Sequence, residues 1–127
     1  FEKRVERHKN DRDERWTTIE EEKEISKVIP KNSVVVIDCV TLWLTNLYFD
    51  TENNVEKALE LATVEIENLS ILESQIIIIS NEIGMGVQAQ THIARKFTEL
   101  QVWTNQRIAN KADKAIFMVS GLPLTLK

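Results

Sequence analysis

"SVVVIDC", residues 33–39, is the stretch whose reading decides the fold. Four β-branched residues follow the turn-forming tripeptide Pro30-Lys31-Asn32 and lead into Asp38. Side chains branched at Cβ suit a pleated strand, and an unbroken apolar run suits a strand covered on both faces, as in parallel sheets. "SQIIIISNE" (74–82) and "KAIFMVSG" (114–121) have the same character, so three such strands are expected. Helical periodicity separates them. Val55, Leu59, Ala62, Ile66 and Leu69 recur at spacings of three and four, predicting an amphipathic helix over 54–72. Residues 90–112 repeat the pattern with Ile93, Ala94, Phe97, Leu100, Thr104 and Ile108, and "TIEEEKEISKVI" (18–29) reads as a shorter, acid-rich helix. Alternating strands and helices predict right-handed βαβ units, hence an α/β fold with an open, mostly parallel sheet flanked by helices.

Composition narrows what such a fold could be for. With 127 residues and 43% hydrophobic content, the chain can fill one modest core, so residues 1–127 are expected to form a single α/β domain. The net charge of −4 argues against a general nucleic-acid binder, because acidic excess repels phosphate backbones. Cys39 is the only cysteine, so no intrachain disulfide can form and a reducing, cytoplasmic location is expected. The apolar runs are too short for a membrane span, and no signal-peptide pattern occurs. With three glycines and two prolines the chain shows no linker, repeat or low-complexity tract.

In open α/β sheets ligands occupy the crevice beyond the carboxyl ends of the strands. That rule singles out Asp38, Asn81, Glu82 and Gly121. A hydrophobic strand ending in an acid is how nucleoside-triphosphate sites hold Mg²⁺, although the same acid is also a favoured helix N-cap. "NEIGMG" (81–86) holds two of the three glycines, which suits either a close backbone approach to a ligand or a turn before the long helix. No G-x-x-x-x-G-K-[ST] phosphate loop occurs in these residues, which stands against a nucleotide site.

One further stretch carries chemistry, "RVERHKNDRDERW" (4–16). If residues 2–12 are helical, Arg4, His8 and Arg12 share a face, with Arg15 close to it. A neutral imidazole is a competent nucleophile near pH 7, and guanidinium groups neutralise the anionic oxygens around a phosphorus under attack. The interleaved Glu2, Glu6, Asp11, Asp13 and Glu14 equally describe an ordinary salt-bridged surface. His92 has no basic cluster around it, and Cys39 has no metal-ligand spacing.

Taken in order, "RVERHKNDRDERW", "VVVIDCVTLWLTNL", "SNEIGMGV", "ARKFTEL…NQRIANKAD" and "VSGLPLTLK" resemble the bifunctional adenosylcobinamide kinase / adenosylcobinamide-phosphate guanylyltransferase family of cobalamin biosynthesis. The likeness runs almost end to end. It implies a P-loop NTPase, RecA-like fold assembled as a homotrimer, using GTP, ATP and Mg²⁺. It also implies two reactions: phosphorylation of adenosylcobinamide, then transfer of GMP from GTP to adenosylcobinamide phosphate through a GMP–histidine intermediate. Carried over position by position, the guanylylated histidine falls on His8, GTP contacts on Lys9, Asn10, Asp11 and Arg12, a nucleotide-binding glutamate on Glu20, and the strand-end acid on Asp38.

The departures are specific. The family's opening strand, P-loop, helix and second strand have no counterpart in these residues. Together with a start at Phe1, this leads to the expectation that they are the C-terminal greater part of the family domain within a longer gene product. Asp13 stands where the family has a proline, Gln88-Ala89-Gln90 where it has P-E-N, and Gln101-Val102 where it has a small Ala-Gly pair. The last change is expected to alter packing or subunit contacts without removing chemistry. Two other readings stay open on sequence: a catalytically silent nucleotide- or corrinoid-binding and assembly module, and another P-loop-derived NTPase using Asp38 for its metal.

Overall fold

A computed structural model describes residues 14–84 and 90–127. The helix expected over 2–12 lies outside them. Strand β1 (Val34–Asp38) pairs in parallel with β2 (Gln75–Ile79), Val34 opposite Gln75 and Asp38 opposite Ile79. Helices α1 (Val40–Asp50) and α2 (Val55–Ser70) form the crossover between them, and α3 (His92–Lys111) follows β2. Strands β3 (Ile116–Val119) and β4 (Leu122–Thr125) close the chain. The protein is thus mixed α/β around a small parallel sheet.

Local chemistry accounts for these boundaries. The Asn54 side chain accepts a hydrogen bond from the Lys57 amide at 3.0 Å and starts α2. Thr91 does the same for α3 through the Ala94 amide at 3.1 Å. At the other end of α3 the Lys127 ammonium donates to the carbonyls of Ala109 and Asn110, at 3.0 and 3.2 Å, where the helix leaves acceptors unsatisfied.

The core lies between the three helices and one face of the parallel pair. Val40, Trp43, Leu44, Leu47 and Tyr48 of α1 meet Ala58, Ala62, Ile66 and Leu69 of α2 and Leu100 of α3, with Ile37, Ile76 and Ile78 of the sheet packed against them. Tyr48 stacks at a tilt on Phe97, ring centroids 5.6 Å apart, and donates its hydroxyl to the Ile93 carbonyl at 3.0 Å. Burial raises the Tyr48 phenol above its ordinary value, keeping that donor protonated.

Four sequence expectations need correction. The strands are not covered on both faces: Val34 (57% exposed), Val36, Ile77 and Ile79 all point outward. Alternation of side chains decides this, since the helices reach only one side of the pleat. The third strand does not join the first two; β3 pairs antiparallel with β4 in a sheet of its own. Ser120 and Gly121, both at positive φ (52° and 74°), make the two-residue turn that selects this neighbour over a distant one. The helix expected over 18–29 shrinks to a 3-10 turn, Ile25–Val28. Backbone groups needed for a longer helix are engaged elsewhere: Trp43 Nε1 donates to the Lys23 carbonyl (2.9 Å) and Asn46 Nδ2 to that of Glu22 (3.2 Å). The Glu21 carboxylate accepts from the amides of Lys23 and Glu24, which lowers its pKa from the ordinary value. Finally, Ile93 is exposed, and its contribution to the core is its carbonyl.

Leu44 is fully buried where α1 enters this core. Leu44→Ala is expected to lower unfolding free energy by about 3 kcal/mol, since the cavity closes only partly; urea titration followed by circular dichroism measures it.

Candidate functional site

The parallel register brings the carboxyl ends of β1 and β2 side by side, because Asp38 and Ile79 are direct partners. Asp38 is exposed there. The helix-capping role open to it on sequence is not the one it plays: Cys39 occupies the N-cap of α1, and among the described residues no side chain caps that helix. The carboxylate therefore faces outward beside an N-terminus whose first amides lack a side-chain partner, an arrangement favourable to bound anions and to a hard cation accompanying them.

Behind this edge lies a polar network that the strand-end rule did not disclose. Gln101 of α3 is fully buried. Its Oε1 accepts from the Thr41 hydroxyl (2.8 Å), and its Nε2 donates to the Ser80 hydroxyl (3.0 Å) and to Asn105 Oδ1 (3.1 Å). Asn81 Nδ2 donates to Thr41 Oγ1 (2.8 Å), Ser80 Oγ donates to Asn105 Oδ1 (2.5 Å), and Asn105 Nδ2 donates to the Asn81 carbonyl (2.9 Å). The set joins the start of α1, the exit of β2 and the middle of α3. One turn further on, the buried hydroxyl of Thr104 has no partner among the described residues.

The glycine stretch continues from Asn81. At Gly84 an added Cβ would stand 2.7 Å from Val102 Cγ2, so the loop passes α3 too closely for a side chain. Gly86 lies outside the described residues, as do His8, Lys9, Asn10, Asp11 and Arg12. Glu20 is exposed and precedes the Glu22–Lys23 stretch that α1 holds by hydrogen bonds. Glu22 and Lys23, shortly after Glu20, thus lie against the middle of α1, and Asp38 lies just before its start. Gly121 belongs to the β3–β4 turn and not to the strand-end crevice. Glu82 is exposed.

Sequence signals existed for part of the network. Ser80 and Asn81 directly follow β2, Thr41 begins the helix after Asp38, and Asn105 belongs to the "NQR" block. Nothing in the composition marks Gln101 as buried. An open groove of about 380 Å³ is lined by Asn53, Asn54, Val55, Glu56, His92 and Lys96 at the end of α1 away from Asp38. Among the described residues no group of three or more His, Cys, Asp or Glu forms a metal cage, and no helix is long and apolar enough to cross a membrane.

Parallel strands with an acid and a polar loop at their carboxyl ends define an α/β protein with a candidate site at the strand ends. The sequence pattern of the cobinamide kinase / cobinamide phosphate guanyltransferase family matches residues 1–126, and the chain belongs to that family. It is 32% identical over 130 residues to the bifunctional adenosylcobalamin biosynthesis protein CobP of Pseudomonas aeruginosa, covering 98% of this chain and 73% of that protein. It is 30% and 29% identical over 139 residues to the bifunctional adenosylcobalamin biosynthesis proteins CobU of Escherichia coli and Salmonella typhimurium, covering 98% of this chain and 77% of each.

Three substitutions probe the packing of this site. Gly84→Ala is expected to cost about 1–3 kcal/mol through overpacking against Val102, and Val102→Ala in the same chain is expected to recover most of it. Thr104→Val removes a buried hydroxyl without a partner and is expected to raise stability by roughly 1 kcal/mol with activity unchanged; thermal melting beside a turnover assay reads both.

Proposed function

We propose that this chain carries out both reactions of its family: phosphorylation of adenosylcobinamide by a nucleoside triphosphate, and transfer of GMP from GTP to adenosylcobinamide phosphate. The observation that carries this reading is the family match over residues 1–126. Residues 1–127 act as one α/β domain of the P-loop NTPase, RecA-like kind, in the cytoplasm and as a homotrimer. The substrates are the two corrinoids, with GTP and ATP as nucleotides; nucleic acid is not a partner, and the chain does not span a membrane.

In the kinase step the aminopropanol hydroxyl oxygen attacks the terminal phosphorus, and the nucleoside diphosphate leaves with the bridging oxygen. In the guanylyl step His8 attacks the α-phosphorus of GTP, forming a P–N bond as pyrophosphate departs. The phosphate oxygen of adenosylcobinamide phosphate then attacks the same phosphorus, and His8 is released. Lys9, Asn10 and Arg12 bind the nucleotide, with cationic groups offsetting charge on the phosphorus oxygens. Asp11 and Glu20 take the polar groups of the nucleotide.

Asp38 fits the hard cation that accompanies a nucleotide. It is an exposed carboxylate at a strand end, a hard oxygen donor of the kind Mg²⁺ takes while keeping water and phosphate in most of its coordination shell. When bound, Mg²⁺ neutralises phosphate charge. Asp38 fixes where the nucleotide phosphates lie relative to β1 and β2.

The test is the intact mass of the full-length protein after incubation with GTP and Mg²⁺. A gain of one GMP, stable in base and lost in mild acid, is expected for a phosphoramidate, and none is expected for His8→Asn. A His8→Asn protein that still gains GMP would place the nucleophile elsewhere. A wild-type protein that gains none would favour the silent binding module. Asp38→Asn is expected to slow both reactions at least about tenfold, as loss of one charge-bearing contact to the nucleotide should.

A further inference from the structure

We infer that Gln101 is a positioning residue for this reaction: it sets the relative placement of the loops leaving β1 and β2, and through them of Asp38. The inference rests on the proposed function for its consequence in turnover, but its structural basis is independent of it. Among the described residues Gln101 is the α3 side chain that bonds both to Thr41, three residues after Asp38 at the start of α1, and to Ser80, the residue after Asp38's register partner Ile79; Asn81 adds a direct bond to Thr41.

The bonds run in one direction. Asn81 donates to Thr41, Thr41 donates to Gln101, Gln101 donates to Ser80, and Ser80 donates to Asn105. Each hydroxyl therefore both gives and receives, and Gln101 supplies the acceptor on one side and the donor on the other. An amide makes both bonds, whereas a carboxylate would lack the donor and an aliphatic chain, like the small residue the family has here, would lack both. Gln101 is fully buried, so its own amide depends on these protein partners, while Ser80 and Asn81 at the edge of the network are exposed. Val102, the next residue on α3, approaches the same loop at Gly84. Consecutive side chains of one helix thus hold the exit of β2, one by hydrogen bonding and the other by close contact.

A placement error of about 1 Å at a reacting group is enough to cost turnover about a hundredfold. The test compares wild type with Gln101→Met, which keeps length and apolar volume, with Thr41→Val, and with the double variant. Three properties are read: melting temperature, hydrogen exchange of segments 38–42 and 80–84, and steady-state kinetics of both half-reactions.

Gln101→Met is expected to melt within a few degrees of wild type, to lose exchange protection in both segments, and to lower kcat about tenfold or more. KM for GTP is expected to change less than about threefold, the signature of misplacement as opposed to lost binding. Thr41→Val is expected to act through the same network, so the double variant falls no further than Gln101→Met alone. Unchanged exchange, unchanged kcat, or additive losses in the double variant would each overturn the inference. If Gln101→Met fails to fold, Thr41→Val decides alone: a kcat equal to wild type overturns it, and a tenfold loss with normal melting supports it. A wild-type protein inactive in both half-reactions marks failure of the proposed function instead, and the exchange comparison still decides whether Gln101 couples the two loops.

Discussion

The parallel register of Val34–Asp38 with Gln75–Ile79 is the constraint from which the remaining architecture follows. Parallel neighbours cannot be joined by a tight turn, so the chain must leave the carboxyl end of β1 and return to the amino end of β2. Here it does so through α1 and α2, which become the lid of the core. The same register places Asp38 against Ile79, so whatever follows β1 and whatever follows β2 start from adjacent points. A shift of one residue would turn Val35 and Ile37 outward and separate those points as well. Packing and site geometry are thus fixed by one pairing.

How much of this was legible in the sequence depended on whether a signal was local. Helix α2 could be read closely, since Ala62, Ile66 and Leu69 are buried at the spacing that predicts them and Asn54 caps as its type suggests. Both parallel strands were readable from Val34–Ile37 and Ile76–Ile79. Partner choice was not. "KAIFMVSG" has the composition of a buried parallel strand, yet its neighbour was settled by Ser120-Gly121, a turn signal just beyond the apolar run. Helix α1 went unread because Leu42 and Phe49 add exposed apolar residues to its buried stripe of Val40, Trp43, Leu44, Leu47 and Tyr48, which blurs the periodicity. The failed helix over 18–29 is a tertiary effect: Trp43 and Asn46 hold its backbone carbonyls, and both sit on the helix that had not been foreseen.

The candidate site divides the same way. Asp38 was found by a rule about strand ends, and the structure places it at one, exposed and not capping α1. The histidine block was found by resemblance and lies outside the described residues. Gln101 was noticed only as a residue larger than its family counterpart. Its role depends on three segments meeting, α1, the exit of β2 and α3, and no window of the sequence contains all three.

The contrast between Gln101 and Thr104 shows why the network specifies geometry and is not incidental polarity. Both lie on the same helix one turn apart, and both are fully buried. Burying a polar group costs stability unless its partners are present. Thr104 bears that cost without return, since its hydroxyl meets no partner among the described residues. At Gln101 both amide atoms are engaged, and the cost is offset only while Thr41 and Ser80 stay where they are. Displacement of Thr41 leaves the buried Oε1 of Gln101 unpaired, a penalty of about 1–3 kcal/mol that an apolar contact, tolerant of sliding, would not impose, while Nε2 also holds Asn105. An aliphatic residue at 101 would stabilise the helix just as well and position the loops less sharply. Directional bonding at one buried amide ties the residues that follow two strand ends, which share only one ladder, to the same helix.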